Sequence, residues 1–319
     1  MDEKLLPILA CPVTHTPLRF DQSRSELISD SAGLGYRMID GIPDLVPGRA
    51  RKLQSSGETV SQKERLEESH AYAKSYHEAR RTVPGTVVYE EYWNRRLIDL
   101  LPNGRNLRAL DLMCGEGIFL PVLAQLYDEV IGMDLSMEML KLVEPERRSR
   151  IFAGDAMRTP FAPASFDVVV VRGGLHHLPD RLSEVFLEVR RIMRPGGRLV
   201  FLEPCDDNWM IRVFRRFVYR TSAHFDEDEE RGLTTRELRG HLEKNGFHLL
   251  RVERSGFLGY ALLLNTDMHG FLRTINSLPW SRVMAKVLIV FDSLWEKTPV
   301  IRSLTFNLFL SAQLKEENQ

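Results

Sequence analysis

The chain has 319 residues, 43% hydrophobic and 27% charged, with a formal net charge of −1. That length can bury one sizeable core and a smaller appendage, so two domains are expected. The balanced charge excludes a global attraction to nucleic acid or to anionic membrane.

In chain order, residues 1–48 read as a small β-rich domain. Leu5 to Ala10 is apolar, Cys11-Pro12 and Thr16-Pro17 punctuate it, and short strands are expected at Leu18–Phe20, Glu26–Ile28 and Tyr36–Ile39. Residues 49–83 are polar and charge-rich, predicting a linker followed by a solvated helix around Gln62–Arg80. From residue 84 to 319 short apolar strands alternate with helices. The pattern predicts a helix over Tyr89–Leu101 and strands at Leu107–Leu112, Glu129–Asp134, Arg150–Ala153, Phe166–Val171 and Arg198–Glu203. Helices are expected from about Ile118, from Ser136 and over Arg181–Met193, and last strands at Phe247–Glu253 and Leu304–Leu314. Thr234 and Glu237 form a capping-box pattern for a further helix that Gly246 closes. Such alternation implies an α/β fold with a doubly wound, mainly parallel sheet.

Three cysteines, Cys11, Cys114 and Cys205, lie far apart and make no disulfide framework, so a reducing cytoplasm is expected. The first residues lack the apolar stretch of a signal peptide, and no run approaches the roughly 18 apolar residues of a membrane span.

The strand Leu107–Leu112 runs into Met113-Cys-Gly-Glu-Gly117 and then a helix. Gly115 and Gly117 permit a tight turn and a close approach of ligand to backbone. Open α/β sheets bind ligands at such carboxyl ends. The next strand ends in Asp134, suited to the two hydroxyls of a ribose, and the third in Gly154-Asp155-Ala156, where a carboxylate can accept from an exocyclic amine. A dinucleotide turn wants a third glycine where this chain has Leu120, and an acidic rim suits a cofactor without phosphates.

These pieces, Leu110–Gly117, Val130–Ser136, Gly154–Ala156, Phe166–Val171 with Leu175–Leu178, and Arg194–Leu199, resemble the class I S-adenosylmethionine (SAM)-dependent methyltransferases of the small-molecule branch. The resemblance covers about Val83–Glu203. It implies a seven-stranded Rossmann-like sheet with its last strand antiparallel and SAM as cofactor. It also implies that Asp111, Met113, Gly115 and Gly117 surround the methionine moiety and that Asp134 with Leu135 meets the ribose. Asp155 with Ala156 is implied at the adenine, and Arg172 at the rim. Cys114 stands where the family usually has a small residue and reads as packing. Arg172-Gly-Gly-Leu175 does not resemble the Asn-Pro-Pro-Tyr loop of enzymes that methylate adenine, so no DNA substrate is expected.

Methyl transfer can rest largely on positioning, with a base needed only for a protonated acceptor. His176 and His177 are the catalytic candidates, with Glu203 and His224 behind them. After the fifth strand, segments near 206–233 and 259–303 read as substrate-covering insertions. The first carries Arg212, Arg215, Arg216 and Arg220 near one helical face, read as a solvated basic face or a docking surface for an anionic substrate or phospholipid headgroups, and Trp209, Val213 and Phe217 on another. The second is apolar and aromatic and suits either core packing or a lid over a lipid-like acceptor.

Leu5–Val13 together with Tyr36–Pro43 is similar to the zinc-ribbon-like family that includes the activator subunit of tRNA and protein methyltransferases. Zinc-binding members have a second cysteine where Thr14 stands here and commonly another at Ser29. One thiolate cannot build a four-ligand site, so no metal is expected. The domain is expected to pack on the larger one or to mediate a homodimer. The leading expectation is a SAM-dependent O- or C-methyltransferase for a small-molecule or lipid-linked acceptor, with peripheral membrane contact left open. RNA or protein methylation and a non-catalytic SAM-binding module are the alternatives.

Overall fold

The computed structural model describes residues 1–53, 80–221, 231–264, 270–298 and 301–316. Apart from Arg80, the linker helix expected over Gln62–Arg80 lies outside them, as do His224 and the side chains of Phe217 and Arg220. The first strands form a small antiparallel sheet, β1 (Arg19–Asp21), β2 (Glu26–Ser29), β3 (Leu34–Ile39) and β4 (Ile42–Pro43), with β5 (Arg51–Lys52) also paired to β3.

Then follow α1 (Pro84–Ile98), β6 (Arg108–Leu112), α2 (Leu120–Leu126), β7 (Glu129–Asp134), α3 (Met137–Leu140) and β8 (Ile151–Ala153). The chain continues through β9 (Phe166–Arg172), α4 (Leu182–Ile192), β10 (Met193–Pro204), α5 (Trp209–Thr221), α6 (Thr235–Lys244) and β11 (Phe247–Ser255). It closes with α7 (Leu258–Leu263), α8 (Gly270–Asn276), α9 (Ser281–Glu296) and β12 (Asn307–Leu314). These strands make the expected seven-stranded sheet in the order β11-β12-β10-β9-β6-β7-β8, in which β12 runs antiparallel to both neighbours.

Alternation along each strand divides the core between the two sheet faces. Leu110, Leu112, Val169 and Val171 belong to one buried cluster, and Ala109, Val168 and Val170 to the other. Both faces are covered, which is why Val168–Val171 can be a continuous apolar run. Helix α1 lays Tyr89, Trp93 and Leu97 on the second face, where Trp93 stacks on Tyr260 at 5.4 Å between ring centroids. Thr234 caps α6 by accepting from the Glu237 N–H at 3.2 Å.

From β6 the sheet grows one way through β7 and β8, and from β9 the other way through β10. The crevice at the carboxyl ends of β6 and β9 is therefore the topological switch point.

The small sheet docks on the β8 edge of the large one. Leu45 N–H donates to the Ala153 carbonyl at 2.8 Å, and Asp44 forms a parallel bridge with Ala153. Further along, Ala10 N–H donates to Pro160 and Ala162 N–H to Ile8, at 2.9 and 2.8 Å. Leu5, Leu9, Tyr36 and Leu45 share one hydrophobic cluster with Phe152, Phe161 and Leu112. An exposed sheet edge is thus capped by backbone pairing and apolar burial together.

Where a zinc ribbon would gather thiolates, this domain gathers hydroxyls. Ser31 Oγ lies 2.9 Å from Thr14 Oγ1, 2.6 Å from Thr16 Oγ1 and 3.3 Å from Ser29 Oγ. Cys11 is buried with its sulfur 3.5 Å from the Tyr36 hydroxyl. Among the described residues no three His, Cys, Asp or Glu side chains converge as a metal cluster.

Helix α5 corrects one expectation. Arg215 does not belong to a solvated basic face with Arg212 and Arg216. It is buried, paired with Asp206 at 2.9 Å, and donates to the Cys205 and Phe306 carbonyls. The buried Asp206 carboxylate and the two carbonyls take the Arg215 guanidinium inward, although its i+3 spacing from the exposed Arg212 would place it in solvent.

Candidate active site

The loop after β6 folds back under β7. Cys114 N–H donates to the Met133 carbonyl at 3.0 Å, and Gly115 N–H to Asp134 Oδ2 at 2.8 Å. Gly117 has φ +68°, and an added Cβ would lie 2.8 Å from Leu120 and 3.0 Å from Val143, so both conformation and space demand glycine. Gly115 is also left-handed, but nothing closer than 3.6 Å faces it, leaving an open cradle. Met113 adopts φ +62°, which costs a non-glycine residue roughly 1 kcal/mol. Its side chain packs against Gly174, so the loops after β6 and β9 touch.

Three carboxylates line this edge in different states. Asp111 is buried, and among the described residues neither of its oxygens has a hydrogen-bond partner. Burial is the main cause that pushes its pKa up to about 7; Arg172 opposes the shift and Asp134 adds to it. An orphaned buried carboxylate is costly unless a ligand satisfies it. Asp134 accepts from Gly115 and, through Oδ1, from Ser136 N–H at 2.8 Å. Burial raises its pKa, and its two oxygens keep lone pairs for further donors. Asp155 accepts from Met157 N–H at 2.9 Å beside the buried Ala156. Leu135 is exposed, and its carbonyl accepts from Arg49, the first residue after the small domain, at 3.3 Å.

Arg172, at the end of β9, is ion-paired with Glu90 of α1, which also accepts from Arg80 at 2.6 Å. Burial alone would raise the Glu90 carboxyl, but Arg172 and Arg80 outweigh it and hold it below its ordinary range. Sequence reasoning missed Glu90. The available signal was a carboxylate on the buried stripe of Thr86, Tyr89, Trp93 and Leu97.

Glu203, fully buried at the end of β10, organises the turn Leu175–His177. Its Oε1 accepts from Gly174 and Leu175 N–H at 2.9 and 2.8 Å, and its Oε2 from His176 N–H at 3.2 Å. The same Oε2 lies 2.9 Å from His176 Nδ1. A carboxylate only accepts, so Nδ1 carries the proton and Nε2 is the acceptor nitrogen of the ring. His177 is exposed and lies against His176 with ring centroids 4.0 Å apart; its charge lowers the pKa of Asp134. Cys114 is buried, and burial together with Asp111 and Asp134 pushes its thiol well above the ordinary value, which keeps it unreactive. The residues singled out from sequence therefore meet at one edge.

The residues present fit a cationic, phosphate-free nucleoside. The open cradle at Gly115 and the unpaired Asp111 suit an ammonium and a sulfonium, and the acidic end of β7 suits a ribose. Fold and edge together have the arrangement of the class I SAM-dependent methyltransferase fold, joined to a small N-terminal β domain.

Comparison with known proteins agrees. The methyltransferase domain family matches residues 110–201, and the Trm112p-like protein family matches residues 2–41. The demethylmenaquinone methyltransferase of Lactiplantibacillus plantarum is 36% identical over 122 residues, covering 35% of this chain and 51% of that protein. The Staphylococcus aureus protein of the same name is 32% identical over 126 residues, covering 37% and 52%. The chain thus spans about half the length of these curated relatives. Among solved structures, a chain from the complex between the Haloferax volcanii Trm112 methyltransferase activator and a methyltransferase superposes with a TM-score of 0.52 at 16% identity. That match covers 77% of this chain and 98% of that one. This protein has the class I SAM-dependent methyltransferase fold, whose cofactor is SAM, and a Trm112p-like N-terminal domain.

Proposed function

We propose that this protein transfers the methyl group of SAM to oxygen or carbon of a small, lipid-linked acceptor. The observation that carries the reading is the Asp111 carboxylate, buried and unsatisfied beneath the glycine loop, where a bound cation completes it. Asp111, Met113, Gly115 and Gly117 would hold the methionine moiety, Asp134 and Leu135 the ribose, and Asp155 and Ala156 the adenine. When bound, SAM supplies an already activated methyl group on a sulfonium.

The chain supplies position and a base. Glu203 fixes the turn and the tautomer of His176, so Nε2 would take the proton of a hydroxyl or enol as its oxygen or carbon attacks in line. His177, at the exposed rim, would orient the acceptor. Arg172, tied to Glu90, sits near Asp111 as a countercharge. The relatives named for demethylmenaquinone support a lipid-linked acceptor, as does the apolar helical segment beyond β11.

We place the protein in the cytoplasm, a reading supported by three buried free thiols. Residues 1–48, 49–83 and 84–319 serve in this reading as small domain, linker and methyltransferase domain, with a homodimer still open.

The test has two parts. Titration calorimetry with S-adenosylhomocysteine on wild type and Asp134→Ala should show strong binding lost in the variant; equal affinity would remove the pocket. Labelled SAM incubated with bacterial lipid extract and with bulk tRNA should label the lipid. The activator-type domain favours the tRNA alternative, and label in tRNA alone would establish that instead.

A further inference from the structure

We propose that the outer face of α9 docks on an anionic lipid surface. The helix has two apolar faces. Ser281, Ala285, Leu288 and Asp292, spaced four, three and four apart, are buried inward. Asp292 there accepts from the Tyr89 hydroxyl at 2.6 Å and from the Phe257 and Leu258 N–H groups at 3.2 and 3.0 Å. That face is complete.

The opposite face repeats the spacing with Val283, Val287, Val290 and Leu294, each between 59% and 65% exposed, and Phe291 lies alongside. A surface helix ordinarily turns charged residues outward, and a continuous exposed apolar stripe of this kind marks a partner or a membrane.

Charge selects the occupant. At 100° per residue, Arg282, Lys286 and Lys297 follow one flank of the stripe, and all three are exposed. The acidic groups of the same stretch are committed inward: Asp292 as described, and Glu296 in an ion pair with Arg96. Among the described residues 271–298 the exposed charges are therefore all basic, in a chain whose net charge is −1. A second copy laid on this face would bring cations and no acid, whereas anionic headgroups complement it.

The helix is about 24 Å long, and no helix among the described residues can cross a membrane, so α9 lies on the surface with its stripe immersed. It packs on α1, which carries Glu90, the partner of Arg172. The lipid-facing helix is one helix removed from the candidate site. The proposal stands on the helix face alone and does not require the acceptor to be a lipid.

Flotation with phosphatidylcholine vesicles, with and without phosphatidylglycerol, tests it in the absence of SAM and acceptor. The full chain should bind the anionic vesicles, and added salt should weaken binding. Arg282→Gln with Lys286→Gln should lose about 30-fold in partitioning, at roughly fivefold per cation. Val287→Ser with Leu294→Ser should lose binding to both vesicle types. Both variants should keep wild-type affinity for S-adenosylhomocysteine, which shows the fold intact. Wild type that stays unbound on anionic vesicles, or variants that bind like wild type, would overturn the proposal. So would a dimer in sedimentation velocity that only the Val287/Leu294 variant dissociates, since the occupant would then be a second copy.

Discussion

In the proposed function, Asp111 would make cofactor binding answer to pH. Its folded pKa of about 7 lies above the ordinary 3.8, so the stability it contributes is present in acid and drains away as pH rises through about 7. A cation bound against it favours the ionised form and expels the proton. SAM affinity should therefore rise about tenfold between pH 6 and pH 8, since each unit below the pKa costs a factor of ten. Asp111→Asn should bind weakly and lose that slope, as calorimetry across the range would show. Glu203 is a different residue-scale test. Glu203→Gln points an amide toward donors that a carboxylate had satisfied, costing ~2 kcal/mol of stability. It also frees the His176 tautomer, so kcat should fall with little change in KM and the pH profile should move. Asp111, Gly115 and Asp134 were legible in the sequence because each stands at a fixed place on a strand end. Glu90 was not: it gains its role from Arg172, 82 residues away, and the left-handed backbone of Met113 is a feature that nothing in its side chain requests.

At the scale of elements, periodicity located the strands well. Glu129–Asp134 matches its expected span, and the Thr234 cap opens α6 as read. Periodicity failed where a residue serves a tertiary partner. Arg215 looked solvated by helical spacing, yet Asp206 and two carbonyls take it inward. β10 begins at Met193 because Met193 itself pairs with Phe166, before a register shift over Arg194–Gly197 and renewed pairing from Arg198. No sequence pattern announced that Arg49, at the start of the linker, reaches the Leu135 carbonyl beside Asp134. That bond pins the loop between β7 and α3. Arg49→Ala should weaken S-adenosylhomocysteine binding about threefold to tenfold, the worth of one ordinary solvent-exposed hydrogen bond, and leave the melting temperature nearly unchanged. An unaltered dissociation constant would mean the loop holds itself.

For the whole molecule, the interface at β8 makes the two sheets one folding unit. Expressed alone, residues 80–319 would bare the β8 edge and the apolar surface around Phe161 and should aggregate; co-expression with residues 1–53 should restore solubility. The hydroxyl cluster of Ser31, Thr14 and Thr16 leads to a second expectation: a chelator should leave the melting temperature unchanged.

The pairing of Leu45 with Ala153 carries one more consequence. An activator that is a separate chain occupies its site only as far as its concentration allows. Here the contact closes within one polypeptide, at an effective molarity set by the chain that joins Leu45 to Ala153 rather than by cellular supply. Diluting the enzyme should therefore never strip the small sheet from the large one, and its specific activity should stay flat down to the lowest amount that can be assayed.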